Sequence, residues 1–198
     1  MKKLVLLIAI LAFVPLAFAD QFTLQSYNVN ALSADPGLVL NTHEVAGTPT
    51  NWLNPGDSAT FNLFQIWTTE TTVNPDDTIA KHIDVTFTFN PPASPGGQVN
   101  GSTDGVTQLF GIIQYGQVHW SGPAVVNFGN GGQFTLTLSD EIFNAGLFGL
   151  NEGPGHGAMV EATLTYTHAS ASVPEPASML LLGSGLAGLA GMIRRRKS

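Results

Sequence analysis

Two pairs of adjacent carboxylates, Asp76-Asp77 and Asp140-Glu141, and five histidines, His43, His82, His119, His156 and His168, are the groups whose types invite an acid–base or metal reading. Their spacing argues against most such chemistry. The histidines form no H-E-x-x-H pair, and the chain has neither a G-x-S-x-G nucleophile turn nor a phosphate-binding P-loop. Neighbouring carboxylates on a strand point to opposite faces, whereas a glycosidase pair faces one cleft across about 5 to 10 Å. No catalytic residue and no metal ligand is assigned on these grounds. Cysteine is absent, which removes a thiol nucleophile, a disulfide, a lipid-modified cysteine and a thiolate zinc site together.

Calcium is the one cofactor with a physical case, because Ca²⁺ takes six to eight oxygens and acidic turns of exported proteins supply them. Asn74, Asp76 and Asp77 form one such turn, and Asp140 with Glu141 another, but neither has the D-x-[DN]-x-[DN]-G pattern. Solvated turn acids are the plainer reading of both. Trp52, Trp67, Trp120 and Tyr115 are candidates for a sugar-stacking platform, with core packing the plainer role for most of them. The order G-x-G-x-x-G at 183–188 follows no strand and leaves no room for a ribose-binding acid, so a dinucleotide site is rejected.

The elements that must position these groups are strands. Residues 83–89, 134–138 and 160–166 alternate apolar and polar side chains with period two, and 22–29, 59–67, 109–115, 118–120 and 125–128 read as further strands. Turn signals separate them, among them Asp35-Pro36-Gly37, Asn54-Pro55-Gly56-Asp57, Asn74-Pro75-Asp76-Asp77, residues 91–97, Asp104-Gly105, Asn100-Gly101-Ser102, Asn130-Gly131-Gly132 and Gly153-Pro154-Gly155. The only helical signal is a short turn that Ser139 or Asp140 caps and that runs to Phe143. About eight strands without intervening helices predict an all-β, antiparallel β-sandwich, jelly-roll-like in order.

Charge and hydropathy separate the ends from this body. Lys2 and Lys3 precede an apolar run at 4–14, and Ala17 and Ala19 stand at the small-residue positions that signal peptidase reads, which predicts a signal peptide over 1–19 cut after Ala19. Between residues 20 and 173, Lys81 is the single cation against thirteen carboxylates, a formal charge of −12 that would repel nucleic acid and anionic lipid. The β-sandwich ectodomain is therefore set at 20–170, and a sorting segment at 171–198.

That last segment has three parts. Pro174, Glu175 and Pro176 make a stiff extended strip, since proline cannot continue a helix interior and biases the residue before it toward extended geometry. Residues 177–193 carry no charge, and as a transmembrane helix would span about 25 Å against about 30 Å of hydrocarbon, a marginal anchor. Arg194, Arg195 and Arg196, with Lys197, form the basic tail that the positive-inside rule keeps cytoplasmic. Small-residue pairs such as Ser184 and Gly188 would let another helix approach this span closely.

Taken in this order, the strip, the short span and the basic tail resemble the PEP-CTERM sorting signal. The resemblance covers about residues 173–198 together with the N-terminal signal peptide. It implies recognition by an exosortase, a membrane enzyme that cuts near Pro-Glu-Pro and hands the body to the cell surface of Gram-negative bacteria that make exopolysaccharide and biofilm. The expectation is thus an exported protein, held briefly in the inner membrane and finally at the cell surface or in the extracellular matrix. Non-catalytic work beside exopolysaccharide is the leading reading. The alternatives are a secreted glycan-binding module and a secreted glycoside hydrolase whose carboxylates the sequence does not identify.

Overall fold

The computed structural model describes residues 19–170, apart from 32, 46, 48 and 91–95, together with residue 185. Eleven strands occur among the described residues: β1 (Asp20–Asn30), β2 (Leu40–Glu44), β3 (Thr50–Leu53), β4 (Ser58–Thr68), β5 (Lys81–Phe89), β6 (Gly96–Gln108), β7 (Ile113–Trp120), β8 (Ala124–Phe128), β9 (Gly132–Leu138), β10 (Glu141–Leu147) and β11 (Ala158–His168). They form two antiparallel sheets, one in the order β10-β7-β6-β5-β1-β3 and one in the order β2-β4-β11-β9-β8. The chain changes sheet at seven of its ten strand connections, staying in place only from β5 through β7 and from β8 to β9.

Alternation drives this arrangement. Along β9 the buried positions Phe134, Leu136 and Leu138 share one face, and along β11 Val160, Ala162, Leu164 and Tyr166 do the same. The two faces meet in an aromatic cluster: Phe22 of β1 lies 4.9 Å from the Tyr166 ring and 5.3 Å from Phe134, while Phe89 of β5 lies 5.0 Å from Phe134. All three contacts are edge-to-face, the geometry that opposes ring edge to ring face. Each such pair contributes about 0.5 to 1.5 kcal/mol beyond its buried area.

Four strands escaped the sequence reading, β2, β3, β6 and β10. In β6, Asn100-Gly101-Ser102 and Asp104-Gly105 look like turns, yet they lie mid-strand, paired with β5 and β7. Gly101 is needed there because a Cβ would fall 2.7 Å from Trp120 Cε3. The expected helical turn after Asp140 is replaced by β10, in which Ile142 pairs with Gln117 of β7. Asp140 spends its side chain on β7 instead of capping a helix, accepting from the Trp120 backbone N–H at 2.8 Å. Residues 109–112, expected to open a strand, form the turn between β6 and β7.

Among the described residues no helix is long and apolar enough to cross a membrane. The expected transmembrane helix at 177–193 lies outside the described residues.

Candidate functional site

Where β4 ends, its connection to β5 gathers the acidic groups of the body. Thr68 is buried, and its Oγ1 accepts the Glu70 N–H at 3.1 Å, setting the direction in which Glu70 leaves the strand. Glu70 Oε1 then accepts the backbone N–H of Val39 at 2.7 Å, from the β1–β2 connection. Four residues on, the Asn74-Pro75-Asp76-Asp77 turn begins and closes on itself: Asp77 Oδ2 accepts the Asn74 N–H at 2.6 Å, and the Asp77 N–H donates to the Asn74 carbonyl at 3.1 Å. Asp77 is fully buried.

Two neighbours hold this turn down. Gly105 of β6 donates its N–H to the Asp77 carbonyl at 2.8 Å, and a Cβ on Gly105 would sit 2.8 Å from Val73 Cγ1, so glycine lets the turn lie flat on the sheet. Gln114 Oε1 accepts from the Val73 N–H at 2.7 Å and the Thr72 hydroxyl at 3.1 Å. From the β1–β2 side, the Gly37 N–H donates to Asp76 Oδ2 at 3.1 Å.

The result brings Asp35, Glu70 and Asp77 together, one carboxylate oxygen of each lying within 4.8 Å of the others. A cavity of about 330 Å³ opens beside them, lined by Asp35, Val39, Glu70, Thr71, Thr72 and Asn74 among others. Glu70 Oε2 and Asp77 Oδ1 are buried and accept no hydrogen bond. Burial pushes the Glu70 carboxyl up to about 7, against the pull of the Val39 N–H; the charge of Asp77, the close approach of the Asp77 carboxyl, with which a protonated Glu70 shares its hydrogen, and the charge of Asp35 push it further in that direction. Near neutrality such a trio holds either a proton or a cation.

A second group pairs His119 of β7 with Asp140: Nδ1 and Oδ2 lie 2.5 Å apart, at the edge of a cavity of about 330 Å³ lined by Gln117, Val118, His119, Asp140, Glu141 and Ile142. The nearby Ser139 hydroxyl is engaged as acceptor of the Glu161 N–H at 2.9 Å. His82 stands 3.3 Å from Asp84, which also accepts from Asn30. His43, His156 and His168 are exposed and scattered.

The residues singled out in the sequence therefore divide. Of the first suggested calcium set, Asp77 joins the acidic trio, Asp76 serves Gly37, and Asn74 lines the cavity. Of the second, Asp140 is committed to His119 and Trp120. Asp35 and Glu70 were missed, because nothing in the sequence couples two loops 35 residues apart. The aromatic residues form no shared platform: Trp120 is buried against Phe64, Trp52 is exposed on β3, and Trp67 lies on β4 of the other sheet. Ala19 precedes β1 directly, so the sheet begins at the residue following the expected signal cleavage. Ala17, Pro174, Glu175, Pro176, Arg194, Arg195 and Arg196 lie outside the described residues.

No curated protein and no solved structure matches the chain. Residues 172–197 match the family model of the PEP-CTERM protein-sorting motif. This motif marks the chain for exosortase processing and for sorting to the bacterial cell surface or beyond it.

Proposed function

We propose that the chain is a non-catalytic surface or matrix protein of a Gram-negative bacterium, exported by a cleaved signal peptide and held briefly in the inner membrane before an exosortase releases its β-sandwich among exopolysaccharide. The observation that carries this reading is the order of parts within 172–197: Pro174-Glu175-Pro176, a short uncharged stretch and a basic stop. A span this marginal suits brief residence, and the arginines set its orientation. The sandwich reads as jelly-roll-like, supported by how often the chain exchanges sheets.

Replacing Pro174, Glu175 and Pro176 by alanine tests the processing step. The substituted protein accumulates in the inner membrane at the mass of the uncut tail, whereas the unaltered chain reaches the surface shortened. Identical mass and location for both proteins would refute the proposal.

One observation favours a glycan-binding role for the released body. Trp52, on the edge strand β3, leaves 65% of its surface exposed, an apolar ring face of the kind on which sugars stack. Trp52→Ala then abolishes retention on the producing organism's own polysaccharide; equal retention of both proteins removes this reading.

A further inference from the structure

We propose that Asp35, Glu70 and Asp77 form a calcium site that ties the β1–β2 connection to the β4–β5 connection. Acidic side chains near one another are common on surfaces, but this group has a feature that solvated acids lack. Asp77 is fully buried, and its Oδ1 accepts no hydrogen bond although it belongs to the carboxylate that faces Asp35 and Glu70. Glu70 Oε2 is in the same condition. Leaving a buried carboxylate oxygen without a donor is costly, and the remedies are a proton or a cation.

Hydrogen bonds to the remaining oxygens hold Glu70 and Asp77 in place independently of any ion, while Asp35 reaches in from the exposed β1–β2 connection. Val39 fixes Glu70 Oε1, Asn74 fixes Asp77 Oδ2, and the Gly105 N–H anchors the turn through the Asp77 carbonyl. Each buried carboxylate thus uses one oxygen for its own orientation and presents the other. This is the division a preformed site requires, since ligands already held in position lose little freedom on binding.

The donor set selects the ion. All three groups are hard oxygens, with neither histidine nor sulfur among them, which favours calcium or magnesium over zinc and copper. Oxygens up to 4.8 Å apart fit around Ca²⁺, whose ligands at about 2.3 to 2.6 Å place opposite oxygens about 5 Å apart. Mg²⁺ demands near-ideal octahedral geometry and dehydrates reluctantly, whereas Ca²⁺ accepts the irregular arrangement that ligands from two different loops provide. The adjoining cavity of about 330 Å³ leaves room for the waters that complete a sphere of six to eight oxygens. These three carboxylates are part of the body's formal −12 and concentrate it in one place, so an ion here relieves repulsion rather than adding to it.

The location gives the ion a structural consequence. Asp35 belongs to the connection between β1 and β2, which lie in different sheets, and Glu70 and Asp77 to the connection that carries the chain from β4 back to β5 in the first sheet. Calcium would cross-link the two loops at one end of the sandwich, as a disulfide does in proteins that have cysteine.

The test is differential melting and calorimetry of the full chain in detergent, after removal of metal with EDTA. Adding about 10 mM CaCl₂ raises the melting temperature by about 3 to 8 °C, and the same concentration of MgCl₂ raises it by less than half as much. Asp77→Asn keeps the acceptor for the Asn74 N–H while removing the charge. It folds with a metal-free melting temperature at or above that of the unaltered protein, and its calcium-dependent rise disappears. Glu70→Gln keeps the acceptor for Val39 and weakens calcium binding about tenfold or more in calorimetry. The proposal is overturned if calcium moves neither melting nor heat in the unaltered chain, or if Asp77→Asn responds to calcium as fully as the unaltered chain does.

Discussion

The phenol of Tyr166, buried on β11, donates a hydrogen bond to the carboxylate of Asp20, the residue on which β1 begins. The bond joins the two sheets at the point where the mature chain is expected to start. Burial and the Asp20 carboxylate both hold the phenol above its ordinary range, so it remains a donor at any physiological pH. Tyr166→Phe keeps the ring in its aromatic cluster and removes the phenol oxygen, leaving a partly buried carboxylate without its donor and the Ser170 backbone without this acceptor. The expected loss is about 1 to 2 kcal/mol, read as a lower urea midpoint with an unchanged slope.

The same junction makes signal processing measurable. If the leader is removed after Ala19, the exported protein begins at Asp20, in place to pair with Leu53 of β3 and to receive Tyr166. Ala19→Arg puts a bulky charge where a small residue is read and leaves the precursor uncut. Intact mass spectrometry of the exported protein checks both outcomes, and a mature chain starting elsewhere contradicts the assignment.

Asn144 sits at a bulge in β10 with φ of 53°, a conformation asparagine tolerates better than most residues. It is buried and serves three backbone groups: its Oδ1 accepts the Thr68 N–H at 2.9 Å, and its Nδ2 donates to the carbonyls of Gly153 at 3.0 Å and of Asn151. Asn144→Ala orphans all three. A loss of about 2 to 4 kcal/mol is expected by chemical denaturation, which also lowers calcium affinity because Thr68 orients Glu70.

Glu70 makes the metal-free protein sensitive to pH in a defined direction. Its folded-state value is raised from 4.5 to about 7, so between these values the native state keeps a proton that the unfolded chain has released. Stability from this group is therefore fully present below about 4.5 and is lost as pH rises through about 7. The groups that face it are Asp35 and Asp77, with Asp76 nearby. In EDTA, the melting temperature of the unaltered chain falls more steeply between pH 5 and 7.5 than that of Glu70→Gln. Parallel curves would show that Glu70 does not carry the raised value.

Phe110 lies in the β6–β7 turn, fully exposed with φ of 58°, a strained backbone for a bulky side chain. Since it buries nothing, Phe110→Asn relieves strain without an apolar penalty and stabilises the fold by about 0.5 to 1 kcal/mol, seen as a higher urea midpoint.

Strands with strong alternation, such as β5, β9 and β11, were legible in the sequence because half-buried strands impose period two on their side chains. β6 was not, because its glycines answer to groups far along the chain: Gly101 to Trp120, and Gly105 to Val73 and the Asp77 turn. The turn Asn74-Pro75-Asp76-Asp77 was also legible, but its role as half of a paired acidic site was not. Its partner Asp35 comes from a loop whose approach depends on which strands pair.

Residue order alone determined the sorting segment, since a Pro-Glu-Pro tail is read as a short linear stretch whose charge and hydropathy act without a fold, and the expected signal peptide rests on the same kind of linear signal. It also determined the strand-rich character of the body, a local consequence of alternation. Tertiary structure alone decided which carboxylates share an environment. Asp77 is buried only once β6 lies beneath its loop, and Glu70 and Asp35 meet it only once β1 and β2 take their places in opposite sheets. Electrostatic coupling depends on distance and burial, and both of these are properties of the folded chain.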